Sequence, residues 1–313
     1  MLCVGTRSRR RKQAGLPFLL VIVHRRMPHF RLMSYPHADR TLEAISGDAA
    51  WEENPVGIKQ LQKMKLAVHF HCYYTDMLDE CLSCLRNLSV CDRDLYVTLV
   101  REDPVVRAKV SAFDSQARIA VVQNCGYDVG PFIWFLRQIS LDRYDAVLKV
   151  HTKRRTLSEE TLFNEYTLSL DLWPRLLWDA LLGSPEIVTK NLDALTRNET
   201  LGMIGSKYCL ALGCDTLELP LSAVEHEMAR MGLPMPHPFS FVAGTMFLVR
   251  SALLAPLTTI YAPSQFSPSS PTVHNGSLAH VMERVFGCLV RQAGYEIKGF
   301  DFNAKMFFSR VPV

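Results

Sequence analysis

Residues 118–155, RIAVVQNCGYDVGPFIWFLRQISLDRYDAVLKVHTKRR, limit the folds open to this chain more than any other stretch. Ile119 to Val122 is an apolar run closed by Asn124 and Gly126, the pattern of a buried strand. A polar, glycine-bearing turn follows. Pro131 stands where a helix would begin, because its fixed φ and missing N–H suit a first turn. Phe132, Phe135, Leu136 and Ile139 then recur at helical spacing, and Ala146 to Val150 is a second apolar strand ending in His151-Thr152-Lys153-Arg154-Arg155. Strand, helix and strand at this spacing make a parallel βαβ unit. Ligands of such sheets bind beyond the carboxyl ends of the strands. Asn124–Asp128 and His151–Arg155 both fall there, which marks one edge as the candidate site.

The same rhythm begins earlier. Lys65 to Tyr73 reads as a strand, Asp76 to Leu88 as a helix, Asp94 to Val100 as a strand and Pro104 to Phe113 as a helix. Regular alternation predicts an α/β fold, a mostly parallel, doubly wound sheet flanked by helices. Further on, helices are expected over Trp173–Leu182, from Ser184 or Pro185 to Leu195, over Leu221–Met231, and from the Ser277 cap to about Gln292. Strands are expected over Leu201–Gly205, Ser240–Arg250 and Tyr295–Phe300. Gly244 interrupts the second of these, as at a place of close backbone or ligand approach. Residues 262–277 have the composition of a loop.

Charge and cysteine content narrow the classes. Residues 1–38 hold eight of the 35 Lys/Arg and none of the 31 Asp/Glu, which leaves the remainder 27 basic to 31 acidic. Residues 1–60 are therefore read as a basic, poorly ordered arm and 61–313 as a single domain. The arm suits peripheral contact with an anionic membrane, and no nucleic-acid partner is expected. Leu16–Val23 is too short to span a bilayer, which takes about 20 residues, so the expected location is cytoplasmic, peripheral at the inner face of the plasma membrane. Nine cysteines do not suggest a disulfide scaffold. Cys81 and Cys84 have redox-motif spacing, but they sit in a helical pattern as core thiols. His69 and His71 share one face of a strand, without a third residue to make a metal site. No G-x-G-x-x-G turn follows a strand, which argues against a dinucleotide enzyme.

The blocks VHFHCYY (68–74), NCGYDVGPF (124–132), LKVHTK (148–153), LGMIG (201–205), FVAGTMFLVR (241–250) and AHVMERVF (279–286) resemble, in order and spacing, the rhamnan synthesis protein F family. The blocks run from residue 68 to residue 286. One departure is that the family's turn more often carries arginines where this chain has Cys125 and Tyr127. The same blocks look like a divergent GT-A nucleotide-sugar transferase, in which an N-x-G turn leads through a helix to a strand ending in a metal-binding D-x-D. Here Asn124-Cys125-Gly126 leads to a strand ending in His151-Thr152-Lys153, and the carboxylate pair is missing. Asp92-Arg93-Asp94 spells D-x-D at the wrong end of its strand.

The resemblance implies transfer of a deoxyhexose, L-rhamnose, from a nucleoside diphosphate donor such as dTDP-L-rhamnose to a lipid-linked or growing polysaccharide. Asn124, Gly126, Asp128, Lys149, His151, Lys153 and Arg154 would hold the donor. Gly244, Thr245, His280 and Arg284 would face the acceptor. Glu283, eleven residues before Gly294, would be the general base, with Asp128 its rival in spite of a plain helix-capping role. No cofactor is expected, since cations replace the acidic metal ligands. The alternative is a non-catalytic carbohydrate-binding or assembly partner that keeps the fold.

Overall fold

The computed structural model describes residues 64–154, 161–163, 166–168, 172–214, 219–269 and 276–300. All of them fall in one compact unit, Leu42–Val313. The basic arm lies outside the described residues.

The strands of the main sheet are β1 (Lys65–His71), β2 (Asp92–Leu99), β3 (Arg118–Val121), β4 (Ala146–His151), β7 (Leu201–Ser206), β10 (Phe247–Arg250) and β11 (Glu296–Phe300). Two short pairs lie outside it: β5 (Thr161–Phe163) with β6 (Tyr166–Leu168), and β8 (Leu210–Leu212) with β9 (Ser240–Val242). The main order is β11-β7-β10-β4-β1-β2-β3. Neighbours from β3 to β4 are parallel, as are β7 and β11. Only β10 runs against both of its neighbours. The sheet is therefore mostly parallel, and β4 is buried along its whole length. A strand covered on both faces needs a continuous apolar run rather than alternation. Lys149 and His151 break that run, so each needs a partner inside.

Helices α1 (Leu78–Leu85), α2 (Pro104–Phe113), α3 (Val129–Leu136), α4 (Leu172–Leu182), α5 (Pro185–Arg197), α6 (Leu221–Arg230), α7 (Ala255–Ile260) and α8 (Leu278–Gln292) complete the described chain. Two open as their sequences dictate. Asp103 accepts hydrogen bonds from the amides of Val105 and Val106, and Ser184 from that of Ile187, each with proline as the next residue. Helix α3 departs from expectation. It starts at Val129, two residues before Pro131, and the Asp128 side chain does not cap it. That carboxylate is used elsewhere.

The two faces of the sheet differ. Phe132 packs against Phe135, Phe247 and Phe286, joining α3 and α8 over one face, and His69 stacks on Phe135 at 4.9 Å. On the other face Phe70 meets Trp178 of α4 edge-on, and Leu66, Leu148 and Leu248 pack with Leu181 and Leu192. His69 and Phe70 are consecutive, so strand alternation sends them to opposite faces.

The expected single strand 240–250 is two. Residues 240–242 pair with β8, the chain reverses through Gly244 (φ +88°) and Thr245 (φ +54°), and β10 enters the main sheet. A left-handed step ends one strand and re-aims the next. Residues 270–275 of the expected loop lie outside the described residues, while 266–269 run beside the 124–130 turn.

Candidate functional site

The carboxyl ends of β1 and β4 and the amino end of β10 meet at one edge, and the polar residues there form two groups. The first is sealed. Lys149, 1% exposed at its side chain, donates to the Asp128 carboxylate, to the Thr245 carbonyl at 2.8 Å and to the Thr245 hydroxyl at 3.0 Å. The Thr245 hydroxyl donates in turn to Asp128. His151 Nδ1 lies 3.6 Å from the same carboxylate, beyond hydrogen-bond range. Below them His69 Nε2 and His71 Nδ1 both reach the Thr98 hydroxyl, at 3.0 and 2.9 Å.

Burial sets the charges of this group. It would raise the Asp128 carboxyl, but the charges of His151 and Lys149 and the hydrogen bonds from Lys149 and Thr245 hold it well below the usual range. Burial pulls Lys149 below the ordinary lysine value, and Asp128 opposes that pull. His69 and His151 are pushed well below 6.5 by the same desolvation, and His71 to about 4. The buried Lys149 and Asp128, 19% exposed at its side chain, are thus a paired junction between the turn before α3 and the turn before β10. The helix-capping reading of Asp128 is corrected, since its carboxylate makes no cap bond and takes Lys149 and Thr245 instead.

The second group is open. Lys153 lies over the Trp173 ring, 4.1 Å from its centre, and makes no ion pair among the described residues. Arg154 pairs with Asp76 and stacks on Tyr74 at 4.6 Å. Thr152 ties this segment to β1, its hydroxyl accepting from the amides of Tyr73 and Tyr74 at 2.9 Å each. Trp178 donates to the His151 carbonyl at 3.2 Å.

Trp173 links Lys153 to the residues expected on the acceptor side. A Cβ at Gly244 would lie 2.7 Å from Leu177 and 3.1 Å from Trp173 Nε1, so only glycine lets the backbone pass there. The Gly244 amide donates to Glu283 Oε1 at 2.6 Å, and Arg284 donates to Oε2 at 2.8 Å while resting on Phe241. His280, one turn earlier on α8, bonds through Nδ1 to the Ser277 hydroxyl at 2.7 Å and faces Tyr127 at 5.5 Å. Burial lowers its pKa against the pull of Glu283.

The 124–130 turn is held by the neighbouring loop. Gly126 (φ +63°) donates to the Ser267 carbonyl, Tyr127 donates to the Ser269 hydroxyl, and a Cβ at Gly126 would strike Phe266. Asn124 accepts through its carbonyl from Ser269, while its buried Oδ1 finds no partner among the described residues. Cys125 is buried, with its thiol against the Pro263 carbonyl. Cys125 thus serves as packing and Tyr127 (φ +55°) as a left-handed turn residue.

Sequence reasoning missed Thr152, Tyr73, Tyr74 and Trp173. The first three were within reach, since they follow β4 and β1 at the edge already singled out. Trp173 sits in the first turn of α4 and carries no local cue. Among the described residues no group of three or more His, Cys, Asp or Glu is placed to hold a metal ion, and no helix is long and apolar enough to cross a membrane. Their cysteines are all unbridged.

Comparison with known proteins adds three findings. The family model for rhamnan synthesis protein F matches residues 50–295. Two proteins named WxcX, both described as uncharacterised, from Xanthomonas campestris pv. campestris strains B100 and ATCC 33913, are 25% identical over 266 residues. Those matches cover 85% of this chain but 36% of each relative, so the chain spans about a third of their length. A solved structure from Desulfovibrio desulfuricans G20, provisionally described as a nucleotide-diphospho-sugar transferase, aligns over 75% of this chain and 79% of its own. Its identity is 14% and its TM-score 0.32, too low to bear on the fold.

Proposed function

The chain belongs to the rhamnan synthesis protein F family, and from that premise we propose that it is a glycosyltransferase of polysaccharide assembly. In this reading it moves a deoxyhexose, L-rhamnose, from a nucleoside diphosphate donor such as dTDP-L-rhamnose to a growing or lipid-linked saccharide. The observation that carries the reading is Lys153, a cation without an ion-pair partner among the described residues, held over Trp173 beyond the carboxyl end of β4. Negative charge develops on a departing diphosphate, and a fixed cation at that point stabilises the transition state. Arg154 adds a second cation once it exchanges Asp76 for phosphate.

Glu283 is the proposed general base. A carboxylate offers about four lone-pair sites, and Gly244 and Arg284 use two of them. The remaining ones are free to take the proton of an acceptor hydroxyl. Asp128 suits that role poorly, because a carboxyl held at low pKa by Lys149 and Thr245 is a weak base.

A thermal-shift screen against nucleoside diphosphate sugars tests this function, since a ligand of the folded state raises its melting temperature. At least one donor should stabilise the chain, with dTDP-L-rhamnose foremost. No metal ion enters the proposed chemistry, so the shift should survive excess chelator; its loss on chelation would reject that part. If no donor binds and none is slowly hydrolysed, the second reading gains, a non-catalytic carbohydrate-binding or assembly partner. The engagement of both Glu283 oxygens favours that reading. We place the activity at the cytoplasmic face of the membrane, with the basic arm as its peripheral contact. Salt-sensitive sedimentation with anionic vesicles checks this.

A further inference from the structure

A cavity of about 680 Å³ opens between α1, α4 and the chain leaving β4. Its size is that of a small-molecule pocket. Its wall carries Lys153, Arg154 and Arg175 against Asp76, Glu80 and Asp179, three cations and three carboxylates. Most of these are already matched. Arg154 pairs with Asp76, and Arg175 with Asp179 at 3.2 Å. Lys153, turned over Trp173, and Glu80 make no ion pair among the described residues.

This balance decides what the cavity suits. A polyanion filling it would face as many carboxylates as cations and, beyond the exchange of Asp76 for phosphate at Arg154, would also have to part Arg175 from Asp179. An uncharged, hydroxyl-rich ligand would meet carboxylates that accept and guanidinium groups that donate, and would leave no charge uncompensated. Trp178, Met77 and Pro174 supply an aromatic ring and apolar surface to the same lining. An apolar ring face beside a polar wall matches a sugar ring, which has both.

We propose that the α1–α4 cavity is a saccharide subsite that holds an uncharged hexose unit of the acceptor chain while Lys153, at its rim, faces the donor diphosphate. The proposal rests on the reading of the chain as a glycosyltransferase, and it names a surface distinct from Gly244, Thr245, His280 and Arg284.

Two probes separate the parts on the full chain. Methyl α-L-rhamnopyranoside is followed by saturation-transfer NMR and pyrophosphate by phosphorus line broadening. Cys84→Trp, which fills the cavity from α1, should abolish the rhamnoside signal and leave pyrophosphate binding within twofold, as roughly expected where no contact is removed. Glu80→Gln, on the exposed side of α1, should weaken rhamnoside binding by about three- to tenfold, the loss of one hydrogen bond. Lys153→Met should do the reverse, weakening pyrophosphate and sparing the sugar. Rhamnoside binding that survives Cys84→Trp in a folded protein overturns the subsite, as does any competition between the two probes. Pyrophosphate bound with no rhamnoside bound to the unmodified chain overturns the subsite and spares the donor site. Rhamnoside bound without pyrophosphate overturns the donor reading and spares the subsite.

Discussion

Lys149 and Lys153 stand four residues apart at the end of one strand. The first points its ammonium into the protein, at Asp128 and Thr245, and keeps 1% of its side chain exposed. The second leaves the sheet, crosses Trp173 and borders an open cavity. The difference lies in what surrounds each charge. Inside, a charge is tolerated only when paired and hydrogen-bonded, so Lys149 serves to fasten two turns together. At the rim, Lys153 has no ion-pair partner among the described residues, which leaves its charge available to the proposed phosphate. A lysine's task at this edge follows from the depth at which the strand delivers it.

The largest effect should come from breaking the sealed side. Lys149→Met leaves Asp128, 19% exposed at its side chain, without its main partner, and such losses run up to about 3–5 kcal/mol where the group is fully buried. Urea denaturation should register it; a loss under about 1 kcal/mol would mean that water reaches the junction. Next comes Glu283→Gln, which should cut turnover by roughly 10²-fold or more with donor affinity unchanged. A glutamine keeps an oxygen for the Gly244 amide, so full activity in this variant would remove Glu283 from the chemistry. Lys153→Met follows, with donor affinity reduced by about 1–3 kcal/mol and the melting curve unmoved. A drop in melting temperature that matches the affinity loss would make Lys153 a structural residue like Lys149.

The most gradual effect belongs to the histidines under the junction. His71 titrates near 4 when folded and near 6.5 when unfolded. Between those values the unfolded chain binds the extra proton, so stability is complete above about 6.5 and falls as the pH drops toward about 4. His71→Gln should flatten that slope by at most about 1.4 kcal/mol per pH unit. Equal slopes in both proteins would show that His71 is already solvated.

Much of the fold was legible because its first half is local. From Lys65 to His151 each strand is followed by the helix that carries the chain to the next one, and periodicity reports such units directly. The reversal of β10 was not legible, since an apolar run has no arrow. Ser240–Arg250 reads as one strand until Thr245 is found left-handed, which a β-branched residue seldom is. At the site, the carboxyl-edge rule gathered Asp128, His151 and Lys153 correctly. It could not rank Lys149 against Lys153, because a sequence shows charge without depth. Nor could it supply Trp173, whose position depends on how α4 returns across the sheet.

The reversed strand also affects how the chain acquires its shape. Residue 149 meets residue 245 across 96 positions, and residue 128 meets 245 across 117. Contacts so distant in sequence close slowly, after local hairpins and crossovers have formed. Until β10 arrives, the β4 side of the early parallel sheet presents a bare ladder of amides and carbonyls, the kind of edge that recruits other chains. A ribosome-bound intermediate ending before Phe247 should therefore be the aggregation-prone species of this protein, and chaperone dependence should fall once that strand has emerged.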